Sequence, residues 1–237
     1  MQKIQAGVMY GVDDIRVEEV DFPQMKPGDV LIKIKAVGIC GSDVHYYKHG
    51  RIGSYVVAKP LILGHECAGE IVEVASDVKG FQPGDRVAVE PGYTCRKCVY
   101  CKTGRYNLCP DVTFMATPPI DGAFVEYVAW PADFVYRLPE NLTFAHGALM
   151  EPLAVGMHAV RRSRLKPGEP IVILGAGTIG LVTILAAKAA GAGEIIVDTR
   201  SKRLESVDFG LQHFARMPDI ALVCPYFCGF NLFCHRG

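Results

Sequence analysis

Residues 170–180 read PIVILGAGTIG, an apolar run from Pro170 to Leu174 followed by Gly175-Ala176-Gly177-Thr178-Ile179-Gly180. A short continuous apolar run is what a strand covered on both faces requires. Three glycines in six residues are a weak signal alone, and their surroundings strengthen it. An Ala-rich stretch through Ala190 predicts a helix directly after them, Glu194 to Val197 predicts the next strand, and Asp198 closes it. This is a β-α-β unit with a dinucleotide-type turn. The first glycine permits the tight turn, the second lets a pyrophosphate approach the backbone, and the third lets helix and strand pack closely. The helix N-terminus then receives the phosphate charge. Asp198 lies 23 residues after Gly175 and is positioned for ribose hydroxyls, which favours NAD. Arg200 and Arg203 leave room for a 2′-phosphate.

Upstream the pattern is different. Val30 to Val37 (VLIKIKAV) alternates apolar and polar residues, the period of a half-buried strand. Gly69 to Val74 and Arg86 to Glu90 are further β-rich runs. Turn signals separate the segments: Lys26-Pro27-Gly28-Asp29, Gln82-Pro83-Gly84-Asp85 and Lys166-Pro167-Gly168-Glu169. Short strands with such turns predict a compact barrel-like β domain. Pro152 to Val160 reads as a helix leading into the second part. Downstream, from about Ser206, periodicity is lost; Val207 to Met217 allows one short helix.

The chain has 237 residues, half of them hydrophobic, with 25 basic against 25 acidic side chains. That excludes disorder, which needs low hydrophobicity and high net charge. It also argues against a nucleic-acid partner, which normally leaves a basic excess. The longest apolar stretch, Ile220 to Phe233, is interrupted by Pro225, Gly229 and Asn231 and is too short to span a bilayer. No signal-peptide core opens the sequence, so a cytoplasmic protein is expected.

Nine cysteines remain to be explained. Cys95, Cys98, Cys101 and Cys109 form C-x2-C-x2-C-x7-C, a density that suits one tetrahedral zinc closed by four protein ligands. An iron–sulfur cluster uses similar spacings. Disulfides would need an oxidising compartment that nothing here indicates. Lys97, Lys102 and Arg105 would offset the thiolate charge. A second set is dispersed: Cys40 in Gly38-Ile39-Cys40-Gly41-Ser42-Asp43, His65 and Glu66 in Gly64-His65-Glu66-Cys67-Ala68-Gly69-Glu70, and Glu151 before Pro152. Thiolate, imidazole and carboxylate together are the mixed donor set of a catalytic zinc with one open position. Cys67 reads as a small core residue, His45 and His49 as solvated loop histidines, and His158 as a packing residue.

In this combination and order, the chain resembles the zinc-dependent medium-chain dehydrogenases over about residues 3–205. It is most similar to their sorbitol (L-iditol)/xylitol dehydrogenase branch. The supporting segments are Cys40-Gly41-Ser42-Asp43-Val44-His45-Tyr46, Gly104-Arg105-Tyr106-Asn107-Leu108, Ala116-Thr117-Pro118-Pro119, Asp121-Gly122 and Glu151-Pro152-Leu153-Ala154-Val155. The resemblance implies a GroES-like β-barrel domain over 1–150, carrying the structural-zinc lobe at 95–109, then the first part of a Rossmann domain over 151–205. It implies that Cys40, His65 and Glu66 ligate the catalytic zinc, with Glu151 as alternate ligand or partner of bound water and substrate. Ser42 would relay the hydroxyl proton, and Asp43 would hydrogen-bond His65 and fix its tautomer. Tyr46 and Phe114 would line the substrate pocket. Gly175, Gly177, Ile179, Gly180, Asp198 and Arg203 would hold NAD, although Asp198 stands one residue out of the family register. The implied reaction is oxidation of a small polyol to a ketose.

The resemblance ends near Glu205. A full dinucleotide fold has six strands, and the sequence predicts only the first two. The expectation is therefore a truncated chain with an atypical tail over 206–237. Homo-oligomers are usual in the family, but their contact-bearing strands are not recognisable here. A catalytically inactive fragment acting at most as a binding module remains the alternative, as do threonine, glucose and simple alcohol dehydrogenases. Cys224, Cys228, Cys234 and His235 could form a third metal site, though their spacing lacks a paired knuckle.

Overall fold

The computed structural model describes residues 2–198 and the backbone of residues 221–223. It divides into two compact units, Met1–Glu151 and Pro152–Gly237. In the first unit the strands are β1 (Lys3–Gly11), β2 (Asp14–Asp21), β3 (Asp29–Gly38), β4 (Arg51–Ile52), β5 (Tyr55–Val56), β6 (Leu61–Ile62), β7 (Glu66–Val74), β8 (Arg86–Val89), β9 (Gly92–Tyr93), β10 (Thr113–Phe114), β11 (Tyr127–Pro131) and β12 (Val135–Arg137). Three helices join them: α1 (Gly41–His49), α2 (Val99–Lys102) and α3 (Phe144–Ala148). A fourth, α4 (Met150–Ser163), begins at the end of this unit.

The frame is a five-stranded sheet ordered β11-β3-β7-β8-β12, with a three-stranded sheet β2-β1-β6. Ala6 bridges Val125. This is the barrel-like β arrangement that the turn-rich first half predicts. Its core gathers Val30, Ile32, Ile71, Val87, Met115, Trp130 and Phe134 from strands and turns. Each large apolar side chain buried this way contributes about 1.5–3 kcal/mol.

The expected alternation in β3 holds only in part. Val30, Leu31 and Ile32 are all buried, at 0%, 3% and 0% exposure, and alternation begins at Lys33. The first half of β3 is an interior strand, paired along both edges with β7 and β11. A bulge between Leu31 and Ile32 shifts the register there. A second bulge, between Ile34 and Ala36, precedes the pairing of Gly38 with Glu66. That pairing sets the end of β3 beside the start of β7.

The second unit contains β13 (Ile171–Leu174), α5 (Thr178–Ala189), β14 (Ile195–Asp198) and β15 (Ala221–Val223). β13 is buried along its whole length, as its apolar run predicts. It pairs in parallel with β14 on one side and β15 on the other. Residues 221–223 thus form a third parallel strand where the sequence predicts only two. Ala221-Leu222-Val223 is too short to display a period, so its β character was hidden. Gly156 on α4 has no Cβ because Val182 and Thr183 backbone atoms of α5 would stand within about 3 Å of it. Val207–Met217, Arg200, Arg203, Cys224, Cys228, Cys234 and His235 lie outside the described residues. Among the described residues, no helix is long and apolar enough to cross a membrane.

Candidate metal centres

Two clusters of metal-ligating atoms occur among the described residues: Cys95, Cys98, Cys101 and Cys109, and Cys40, His65 and Glu66. Within each cluster the donor atoms lie within 4.8 Å of one another.

The four-cysteine lobe is built by turns rather than by the sheet. Cys98 caps α2 and accepts the Cys101 N–H at 3.5 Å. Cys98 N–H donates to Cys95 Sγ at 3.3 Å, and Cys95 N–H to Cys109 Sγ at 3.5 Å. The Lys97 and Cys98 N–H groups hold the Cys95 thiol down at about 7. Cys101 is also lowered, first by a hydrogen bond to Thr94. Cys98 and Cys101 sulfurs are 3.4 Å apart, and Cys95 and Cys101 sulfurs 3.9 Å. Disulfide sulfurs would be at about 2.05 Å. Four sulfurs at about 2.3 Å from one zinc stand about 3.8 Å from each other, so the observed spacing fits a metal. Thr94 is a contributor the sequence reading missed; it immediately precedes Cys95.

The mixed cluster depends on strand register. Gly38 faces Glu66, so Cys40, two residues past β3, meets His65, one residue before β7. Residues 61–69 are buried without a break, and His65 and Glu66 are 6% and 7% exposed. Burial pushes the Cys40 thiol up, against hydrogen bonds from Ser42. Burial likewise raises the Glu66 carboxyl, against the attraction of His65. Desolvated anionic donors of this kind are stabilised by a cation. The set of sulfur, imidazole nitrogen and carboxylate oxygen thus fits zinc with a position left open.

Asp43 is nearly fully buried, at 3% exposure. It was expected to hydrogen-bond His65. The structure separates Asp43 Oδ1 and His65 Nδ1 by 3.8 Å, beyond hydrogen-bond length. Its two oxygens instead accept the Cys40 N–H and the Gly64 N–H, each at 2.9 Å. One carboxylate therefore ties the two ligand loops together, because both present unpaired N–H groups toward it.

Tyr46 also departs from expectation. It is 4% exposed and packs with Met9, Leu61, Leu63 and Ala116 in the core, so it presents little surface to a substrate. It lies three residues after Asp43, on the inward face of α1. Phe114 is half-buried, its ring 5.5 Å from that of His65. Burial raises the Glu151 carboxyl, while His65 lowers it and Glu66 and Asp43 raise it further. Glu151 therefore senses the cluster without belonging to the triplet. Cys67 is buried at 1% exposure, its thiol pushed up to about 12, as a core residue. His45 and His49 sit on α1 rather than in a loop, since Cys40 and Asp43 start a helix there. His158 is exposed on α4 rather than packed.

Three glycines frame the mixed cluster. A Cβ at Gly38 would overlap the Glu66 carboxylate. Gly64 has φ +86° and lies against the Phe124 ring. A Cβ at Gly122 would strike the Leu63 and Gly64 backbone. Gly38 and Gly122 were not singled out as site residues; each stands inside a quoted motif, which was the available signal.

In the second unit, Gly175 has φ +106° and donates its N–H to Asp198 O at 2.8 Å. Gly177 caps α5 with no atom within 4 Å of a Cβ position, while Ile179 is half-buried and Gly180 buried. The turn thus leaves open space at the helix N-terminus where a phosphate group would approach. Asp198 ends β14 opposite Leu174.

The alcohol dehydrogenase GroES-like domain family matches residues 26–140. Sorbitol dehydrogenase of Bacillus subtilis is 56% identical over 206 residues, covering 86% of this chain and 58% of that protein. A probable D-xylulose reductase A of Neosartorya fischeri is 48% identical over 200 residues, covering 84% and 56%. Among solved structures, a putative zinc-binding dehydrogenase of Sinorhizobium meliloti bound to NADP has a TM-score of 0.76 at 37% identity, covering 85% and 58%. The chain thus spans less than two thirds of the length of these relatives.

Proposed function

We propose, from the premise that the chain belongs to the zinc-type medium-chain dehydrogenases, that it oxidises a polyol of the sorbitol, xylitol or L-iditol class to a ketose, with hydride passing to NAD. The observation that carries this reading is the Cys40, His65 and Glu66 cluster, with Cys40 half-buried and the other two donors buried. The similarity to sorbitol dehydrogenase and D-xylulose reductase supports the substrate class. Zinc held there would polarise the substrate hydroxyl and lower its pKa.

The protein's own groups do the rest. Ser42, hydrogen-bonded to the Cys40 sulfur, would relay the proton leaving the substrate oxygen. Asp43 acts through position, holding Cys40 and Gly64 so that the donors converge. The Glu151 carboxyl, raised by burial, serves as hydrogen-bond partner of substrate or water, or as an alternate ligand. Phe114 covers one side of His65 and limits water there. The lobe cysteines are assigned to a structural zinc, because all four positions are protein sulfurs.

On the cofactor side, the Gly175–Gly180 turn receives the pyrophosphate and Asp198 the ribose hydroxyls. Asp198 supports NAD over NADP; Arg203 is assigned to the same cofactor from the sequence alone. The similarity to an NADP-bound protein makes NADP the rival. A second reading, binding of zinc and dinucleotide without turnover, needs only the two donor clusters and the open turn at Gly177.

The test is dinucleotide reduction, followed by absorbance, with zinc-loaded protein and sorbitol, xylitol or L-iditol. Polyol-dependent reduction, faster with NAD than with NADP, is expected. No turnover by a folded, zinc-loaded chain would overturn the enzymatic reading in favour of the second one.

A further inference from the structure

His45 and His49 are two imidazoles of α1 to which the proposed reaction assigns no role. They are spaced four residues apart on α1, so they share one helical face. Both are exposed, and their ring centroids are 4.5 Å apart with planes at 59°. Each lacks a hydrogen-bond partner among the described residues, so its ring nitrogens are available.

The helix beneath them is held firmly. Tyr46 anchors it in the core, and Asp43 joins its start to the Gly64 loop. Lys48, between the two histidines, is paired with Asp13 at 2.7 Å. Gly50 stops the helix with φ +69°, and its N–H returns to Tyr46 O at 2.7 Å. The two rings are therefore presented by rigid backbone, and ordering them around a ligand costs little.

We propose that His45 and His49 form a separate surface metal site, a bidentate imidazole clamp for a borderline divalent transition ion, with water completing its coordination. Two imidazoles on one ion at about 2.0–2.1 Å per nitrogen place their ring centroids roughly 5 Å apart. The observed separation needs only a small side-chain rotation to reach that. A hard cation such as Mg2+ prefers oxygen ligands and is disfavoured here. Cu2+ binds most tightly, ahead of Ni2+ and Zn2+.

Ser42 lies on the same face of α1, three residues before His45. An ion in the clamp thus adds positive charge along the helix that carries the proposed proton relay, and it inhibits turnover. This inhibitory consequence rests on the proposed dehydrogenase reading; the binding does not.

The test uses the full chain with its zinc sites filled and the tail donors removed by Cys224→Ser, Cys228→Ser, Cys234→Ser and His235→Ala. Ni2+ is titrated calorimetrically, and trace Cu2+ is used to broaden imidazole NMR signals. One Ni2+ per chain beyond zinc is expected, with broadening centred on His45 and His49. His49→Ala should weaken Ni2+ binding by about tenfold or more, and His49→Gln should do the same. Absence of binding, affinity unchanged in both variants, or broadening centred elsewhere would overturn the site. If Ni2+ binds through His49 and the chain shows no polyol turnover, the clamp stands and the enzymatic reading fails.

Discussion

The two metal clusters of this chain are built on opposite principles. The lobe collects its four sulfurs from fifteen consecutive residues, Cys95 to Cys109, through turns and N–H···S contacts. The mixed cluster takes Cys40 from the end of one strand and His65 and Glu66 from the start of another. Its assembly needs the register of β3 on β7 and one buried carboxylate, Asp43, to join the loops. A local site of this kind carries its own folding energy once metal binds. A site made by long-range register inherits its geometry from the whole barrel, which can hold a donor set open for chemistry. Damage to one cluster should therefore spare the other, and each variant should be read by which cluster responds.

On the proposed dehydrogenase reading, the largest expected effect is on turnover. Cys40→Ala should reduce polyol oxidation by about a thousandfold or more, because the group that activates the hydroxyl is lost. Steady-state kinetics checks this, and the lobe zinc should remain. Cys98→Ser breaks the lobe instead; the melting temperature should fall by about 5–15 °C, as thermal denaturation would reveal. An unchanged melting curve would contradict a stabilising metal in the lobe.

Asp43→Asn probes the link between the ligand loops. An amide offers one acceptor where the carboxylate offers two, so one of the Cys40 and Gly64 N–H bonds is lost. Zinc affinity of the mixed cluster should drop about 10–100-fold, measured by competition with a chelator, with the lobe unaffected. Gly38→Ala brings a methyl group against the Glu66 carboxylate. Chemical denaturation should register a loss of about 1–3 kcal/mol, together with weaker metal binding at the mixed cluster alone.

The smallest effect is expected where the lobe meets the barrel. Tyr106 and Tyr136 both donate to Glu90 Oε2, at 3.2 and 3.0 Å. Tyr106→Phe removes one such bond at a half-exposed position and should cost about 1 kcal/mol or less. Both zinc ions should stay bound.

The same contrast explains what the sequence made legible. Four cysteines in a short loop and three glycines between strand and helix are local patterns, and both appear in the structure where the sequence puts them. The apolar run of β13 also declared itself, because a strand covered on both faces has no polar positions. The long-range facts were hidden. Nothing local says that Gly38 pairs with Glu66, or that Asp43 would bind two backbone N–H groups rather than His65. The buried first half of β3 looked half-buried because Lys33 and Lys35 imposed an alternation that only its second half obeys. Tyr46 was assigned by motif position, whereas helix geometry turned it inward. β15 escaped notice because three residues are too few to display a period.

If the two clusters are independent metal sites with separate roles, losing one must leave the other filled. Metal analysis of purified His65→Ala tests it most directly, set against the unaltered chain. Two zinc ions per unaltered chain and one per variant, with the variant's melting curve kept, is the predicted result. Loss of both ions from the variant, or retention of both, would contradict the account.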